Sequence, residues 1–215
     1  MATSLALIAA LVVTPAAAAH ETEDGATRHL TVIADSIVLG AAEEIPAAMP
    51  DDWVTAVDAE VSRSTSDGLA TIRSQRGQIT DTLVIGLGAN DGGSPALFRP
   101  RVEALLAEVA DVPHVYWIEI AEVRSYYPSA NAVVRDVAAQ YDNVEIIPWG
   151  AQALADPGLT GTDGLHLTSR GQQAMADLIV ATVTAPEPEP PAPAPAPSLN
   201  VRLYRLLLVM RASLY

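Results

Sequence analysis

Apolar residues along this 215-residue chain fall into short runs separated by longer amphipathic stretches. The runs at 30–34, 54–58, 82–87, 115–120 and 144–147 are rich in β-branched residues and nearly continuous in apolarity. Such runs predict strands buried on both faces of a parallel sheet. Between them the period lengthens. In 95–110, Leu97, Val102, Leu105, Leu106 and Val109 recur at three- and four-residue spacing, which is one face of a helix. The stretches 131–141 and 169–183 read the same way. Strand–helix alternation of this kind predicts an α/β protein, a three-layer α/β/α sandwich around a five-stranded parallel sheet. In doubly wound sheets ligands bind beyond the carboxyl ends of the strands, where the strand order switches direction. Residues that directly follow a predicted strand are therefore the first place to look for chemistry.

Ser36 follows the first predicted strand and opens the next helix, where backbone amides can face a developing negative charge. A serine hydroxyl is nearly inert at neutral pH without an imidazole to take its proton and a carboxylate to orient that imidazole. Only four histidines are available. His20 and His29 precede the first strand, and His114 has no carboxylate placed to orient it. His166 lies in the Gly-containing loop Asp163-Gly164-Leu165-His166, three residues after an aspartate. On its own that loop could equally be a turn aspartate followed by a histidine leading into the last helix. A third element narrows the choice. Val84-Ile85-Gly86-Leu87-Gly88-Ala89-Asn90-Asp91 runs an apolar strand into a turn that presents Asn90, whose amide could serve as an oxyanion donor. The alternative there is an ordinary strand-end turn. Asp35 reads as a loop brace and Asp91 as a cap on its own turn.

Three blocks in this order resemble the SGNH (GDSL-type) hydrolases: Ala34-Asp35-Ser36 the first, Gly88-Ala89-Asn90-Asp91 the third, and Asp163-Gly164-Leu165-His166 the fifth. The resemblance runs from about residue 30 to 183. The stretches around Asp35-Ser36-Ile37-Val38, Val61-Ser62-Arg63 and Asp163 to Thr168 look most like the extracellular domains of peptidoglycan O-acetyltransferases. The resemblance implies a flavodoxin-like SGNH fold, with Ser36 as nucleophile, His166 as base and Asp163 as its orienter. Asn90 and the Ser36 N–H would be oxyanion donors. Two positions depart from the pattern. Ala34 replaces the first-block glycine, and the second-block glycine has no clear counterpart, Ser62 or Arg63 standing in its place. If that position needs a positive φ, arginine there would be strained.

Composition and charge restrict the partners. The formal net charge of −14 opposes binding to nucleic acid or to an anionic membrane surface. All twelve basic side chains other than histidine are arginines, and there is no cysteine, which removes thiolate catalysis and Cys-based zinc. Histidine spacing suggests no metal, and no P-loop or dinucleotide fingerprint implies a cofactor. Tyr126, Tyr127 and Trp149 follow the fourth and fifth predicted strands and are candidates for a sugar- or acyl-binding wall, with packing beneath a loop as the alternative.

The ends read differently from the middle. An apolar run over 4–13, then Pro15 and small residues to Ala19, predicts a signal peptide over 1–19. No Lys or Arg precedes Arg28, so the usual basic start is missing, which a start upstream of Met1 would explain. An arm over 20–29 leads into the domain at 30–185. Alternating prolines over 186–198 predict an extended polyproline-II spacer. The tail 199–215 is apolar but broken by Arg202, Arg205 and Arg211, and falls short of the roughly 20 residues a membrane span requires. It reads as a disordered tail, with a weak surface anchor as the alternative, and no firm membrane association is expected. The expectation is thus an exported serine esterase acting on a small acyl ester or an acylated polysaccharide. Nothing in these residues reads as an acyl-supplying membrane domain, so hydrolysis is expected ahead of acetyl transfer to a sugar. A catalytically dead wall-binding module is the third reading.

Overall fold

A computed structural model describes residues 27–186. The leader, most of the arm, nearly all of the proline spacer and the tail lie outside the described residues. Five parallel strands form one sheet in the order β2-β1-β3-β4-β5: β1 Arg28–Ala34, β2 Trp53–Ala59, β3 Thr82–Gly86, β4 His114–Ile118 and β5 Val144–Ile147. The chain places β2 on one side of β1, then crosses to build β3, β4 and β5 on the other. The order therefore switches between β1 and β3, the two strands that precede Ser36 and Asn90.

Burial follows position in the sheet. In the central strands β1, β3 and β4 nearly every side chain is buried, as their continuous apolarity predicts. The expectation of burial on both faces fails for β2 and β5. Both are edge strands, and β2 alternates between half-buried and exposed residues along its first half. β1 also begins two residues early, because Arg28 pairs with Trp53 and its guanidinium lies 5.6 Å from the centre of that indole. The last two residues of the arm thus belong to the sheet.

Helices cover the sheet: α1 Ser36–Leu39, α2 Glu44–Ala48, α3 Thr65–Gln75, α4 Pro95–Glu108, α5 Tyr127–Ala138, α6 Trp149–Ala155 and α7 Ser169–Val183. α3 starts with a reciprocal capping box between Ser64 and Asp67, which satisfies two of the free amides of its first turn. α5 starts four residues before the apolar periodicity begins. Pro128 sits in its first turn, where a missing N–H costs nothing. Among the described residues no helix is long and apolar enough to cross a membrane.

One glycine positions the site. A Cβ on Gly86 would come within 2.6 Å of a Val38 methyl and 3.0 Å of the Ala34 Cβ. Its absence lets α1 lie directly on the end of β3, which brings Ser36 alongside the turn carrying Asn90.

Candidate active site

β1 ends at Ala34, and Asp35 immediately caps the next helix, its Oδ1 accepting the Ile37 N–H at 2.9 Å. The Asp35 amide donates to the Gly86 carbonyl, also at 2.9 Å, so the chain is tied to β3 just as it delivers Ser36. Ser36 is half-buried, with its Oγ 3.1 Å from His166 Nε2. On the far side of the ring, His166 Nδ1 lies 2.6 Å from Asp163 Oδ2. The structure thus brings together three side chains separated by 130 positions at their widest, in the hydroxyl–imidazole–carboxylate sequence that activates a serine.

The loop holding the imidazole is built locally. Asp163 Oδ1 accepts the backbone amides of Leu165 and His166, at 3.0 and 3.1 Å, leaving Oδ2 for the ring. Gly164 makes the turn at φ +70°, a conformation that favours glycine, and a Cβ there would meet a Val123 methyl at 2.9 Å. The Gly161 N–H donates to the His166 carbonyl, and Thr160 bridges Leu167. The hydrogen bond from His166 holds the Asp163 carboxyl down at about 2, so it is ionised at any working pH. Both side chains are open to solvent, His166 by 52% and Asp163 by 41%.

The facing side is assembled from three strand ends. Asn90, after β3, donates from Nδ2 to the Arg63 carbonyl at 3.1 Å and to Asp35 Oδ2 at 3.3 Å. Two acceptors thus fix which end of the amide is the nitrogen. Ser62, after β2, has φ +63° and is the one non-glycine with positive φ among the described residues. Its N–H makes no backbone hydrogen bond among them, whereas the Arg63 N–H is taken by the Glu60 carbonyl at 3.3 Å. Of the two residues standing for the second-block glycine, Ser62 therefore has the left-handed backbone and the available amide. Arg63 is corrected from a direct donor to a buried neighbour. Burial pushes the Asp35 carboxyl up to about 6, partly offset by the Ile37 amide and the His166 charge, with the Asp91 charge adding to the rise.

The aromatic wall is also corrected. Trp149 and Tyr127 are 1% and 2% exposed and belong to the core, so neither presents a face to a substrate. Each opens a helix whose first turn packs inward, a placement that no loop assignment anticipates. Tyr126 remains: it is half-buried, stacks edge-on to Tyr127, and lies against the Asn90 turn with its hydroxyl donating to the Ala89 carbonyl at 3.4 Å. The side chain of Asp91 is corrected from a cap on its own turn to a brace between other elements. Its Oδ2 accepts both the amide and hydroxyl of Thr65 at the start of α3, and its Oδ1 pairs with Arg101 of α4.

This architecture has known counterparts. The C-terminal catalytic domain of peptidoglycan O-acetyltransferase A from Streptococcus pneumoniae, solved with a methylsulfonyl adduct, aligns with a TM-score of 0.58 at 23% identity, covering 74% of this chain and 92% of that domain. The acetyl xylan esterase AlAXEase aligns with a TM-score of 0.63 at 17% identity, covering 72% and 99%. The chain has the SGNH hydrolase fold. In sequence it is 25% identical over 171 residues to the O-acetyltransferase OatA of Staphylococcus aureus, a stretch covering 77% of this chain and 26% of that protein. The chain thus spans about a quarter of the length of that curated relative. No protein-family model matches it.

Within the SGNH fold, the structure joins Ser36, His166 and Asp163 in one hydrogen-bonded chain, with the Asn90 side chain bonded to Asp35, the residue before Ser36. What sequence reasoning missed was the burial of Arg63 and the carbonyl it turns toward Asn90. The run Asp58 to Arg63 held one signal: a lone arginine after a strand, with Asp58 and Glu60 at distances that allow pairing.

Proposed function

We propose that this chain is a serine esterase that removes O-acyl groups, in the first place O-acetyl, from a carbohydrate or cell-wall polymer outside the cytoplasm. The observation that carries this is the continuous Ser36–His166–Asp163 hydrogen-bond chain, at 3.1 and 2.6 Å, set beside the Asn90 amide. Ser36 Oγ attacks the ester carbonyl while His166 Nε2 takes its proton. Asp163 holds the ring with Nδ1 protonated and stabilises the cation that forms. The oxyanion faces the Ser36 and Ser62 amides, and the Asn90 side chain joins them by exchanging its long 3.3 Å bond to Asp35 for the oxyanion while keeping its bond to the Arg63 carbonyl. His166 then returns the proton to the departing sugar oxygen, leaving an acetyl group on Ser36. In the second half, His166 deprotonates water, which attacks the acyl carbonyl; the bond to Ser36 Oγ breaks, His166 returns the proton to that oxygen, and acetate is freed.

Exposure of His166 supports water as the acceptor, because solvent reaches the base directly. An open site also suits a polymer, whose chain must lie across the surface. Transfer to a sugar hydroxyl is the second reading, favoured by the sequence similarity to OatA. A binding module is a poorer reading, since nothing about binding requires these four side chains to converge.

Turnover of p-nitrophenyl acetate, followed by acetate release from acetylated peptidoglycan and acetylated xylan, tests the proposal. Free acetate in dilute buffer is expected from at least one polymer. Acetylated sugar as the main product when an activated acetyl donor is supplied with chitooligosaccharide would favour transfer. No turnover of any ester would overturn the enzyme reading.

A further inference from the structure

Arg63 is the only arginine among the described residues with a buried side chain, at 6% residue exposure. Burying a guanidinium is costly unless its donors are paired. Here Nη1 donates to the Ala34 carbonyl at 3.1 Å and the Asp58 carbonyl at 2.5 Å, and Nη2 to Asp58 Oδ1 at 2.7 Å and Glu60 Oε2 at 3.2 Å. Nε has no partner among the described residues, so the pairing is incomplete and the burial is not explained by stability alone. Its contacts are specific in place. Ala34 is the last residue of β1, two before Ser36, and Asp58 lies at the end of β2. The Arg63 amide closes the turn that holds Ser62 at positive φ, and the Arg63 carbonyl takes the Asn90 amide. One residue therefore touches the end of β1, the turn that carries Ser62 and the Asn90 amide.

We propose that Arg63 is the positioning residue of the oxyanion hole: its guanidinium clamps the turn after β2 onto the end of β1, so that the Ser62 N–H and the Asn90 amide converge beside Ser36. This rests on the esterase reading. Arg63 touches no substrate and acts through the two donors. Its planar fork spans acceptors on two strands at once, which a lysine ammonium on a flexible stem cannot do. A left-handed serine is strained and persists only where the surroundings hold it.

The test uses Arg63→Lys in the full chain, with folding checked by circular dichroism and thermal melting. For p-nitrophenyl acetate, kcat should fall roughly 10- to 100-fold with KM changed by less than about threefold, as for a misplaced transition-state donor. Adding Asn90→Ala to Arg63→Lys should cost much less than the product of the two single effects, because the clamp acts through that amide. Adding Ser62→Gly instead should recover part of the lost kcat, since glycine holds the left-handed turn without help. The Asn90 side-chain amide resonances, assigned with the Asn90→Ala variant, should shift in Arg63→Lys. That reading requires no turnover. A wild-type protein that hydrolyses no ester would overturn the esterase reading, whereas unmoved Asn90 resonances would overturn the clamp. Effects that multiply independently with Asn90→Ala would also overturn it, reducing Arg63 to a structural residue. If Arg63→Lys does not fold, Asp58→Asn loosens one leg of the clamp at a carboxylate that is 37% exposed, and the same readings apply at smaller size.

Discussion

The two sides of this site are built on opposite plans. The base side is local and wet: Asp163 and His166 share a four-residue turn, accept and donate within it, and stand half open to solvent. The oxyanion side is dispersed, with exposed donors at Ser62 and Asn90 set on a buried frame. Asn90 reaches partners 27 and 55 residues away, the side chains of Asp35 and Arg63 are buried, and the turn at Ser62 is strained. Their acids move in opposite directions, Asp163 down to about 2 through its hydrogen bond with His166, and Asp35 up to about 6 through burial. A proton-transfer pair can be made by a few adjacent residues, because it has only to orient one ring. A hole that must meet charge developing at one point requires donors arriving from several directions, and so a rigid frame of strand ends.

Mutations on the two sides should therefore fail differently. The largest loss is expected on the base side. His166→Ala or Ser36→Ala should lower kcat by roughly 10⁴- to 10⁶-fold, with Asp163→Asn somewhat milder, all without change in melting temperature beyond a few degrees. A small kinetic effect of Asp163→Asn would mean that another group orients the ring. Next comes Asn90→Ala, expected to cost about 10²–10³-fold in kcat with KM nearly constant. A pure KM effect would make Asn90 a ground-state binder and blur the contrast between the two sides.

Smaller effects lie in stability. Asp35 ionises at about 6 when folded against 3.8 in the unfolded chain, so between those values the folded state holds the extra proton. Its contribution to stability is therefore greatest below about 4 and falls as pH rises through 6. Asp35→Asn removes that slope. Urea midpoints from pH 4 to 8 should show wild type losing ground to Asp35→Asn as pH rises, and a trend in the opposite sense would mean that Asp35 is stabilised as a charge. The smallest expected change is Ser62→Gly, which relieves the left-handed serine and should raise stability by up to about 1 kcal/mol, read from the same urea curves. A loss of stability would show that the Ser62 side chain contributes contacts worth more than the strain.

The same contrast decides how much could be read from sequence. Central strands announce themselves because burial on both faces demands unbroken apolarity, and the Asp163–His166 turn does so because both chemical groups and the required glycine lie within four residues. Asn90 was legible as a candidate oxyanion donor, with an ordinary strand-end turn as the alternative, and its partners were not. The roles of Ser62 and Arg63 were not separable, since a φ angle and the direction of a carbonyl leave no mark on residue type once glycine is absent. Trp149 and Tyr127 misled for a related reason. An aromatic residue after a strand reads alike in a loop or in the inward-facing first turn of a helix, and only packing tells them apart. At β2 and β5 the edge positions were hidden because strand order, not composition, decides which strands lack a neighbour.

The central claim is that Ser36 is a nucleophile whose reactivity comes from both sides together. Its most direct test is the rate of covalent labelling by a fluorophosphonate, with the modified peptide located by mass spectrometry. One label on the peptide containing Ser36 is predicted, slowed by orders of magnitude in His166→Ala and by a smaller factor in Asn90→Ala. Labelling at another serine, or an Asn90→Ala rate equal to wild type, would contradict the account.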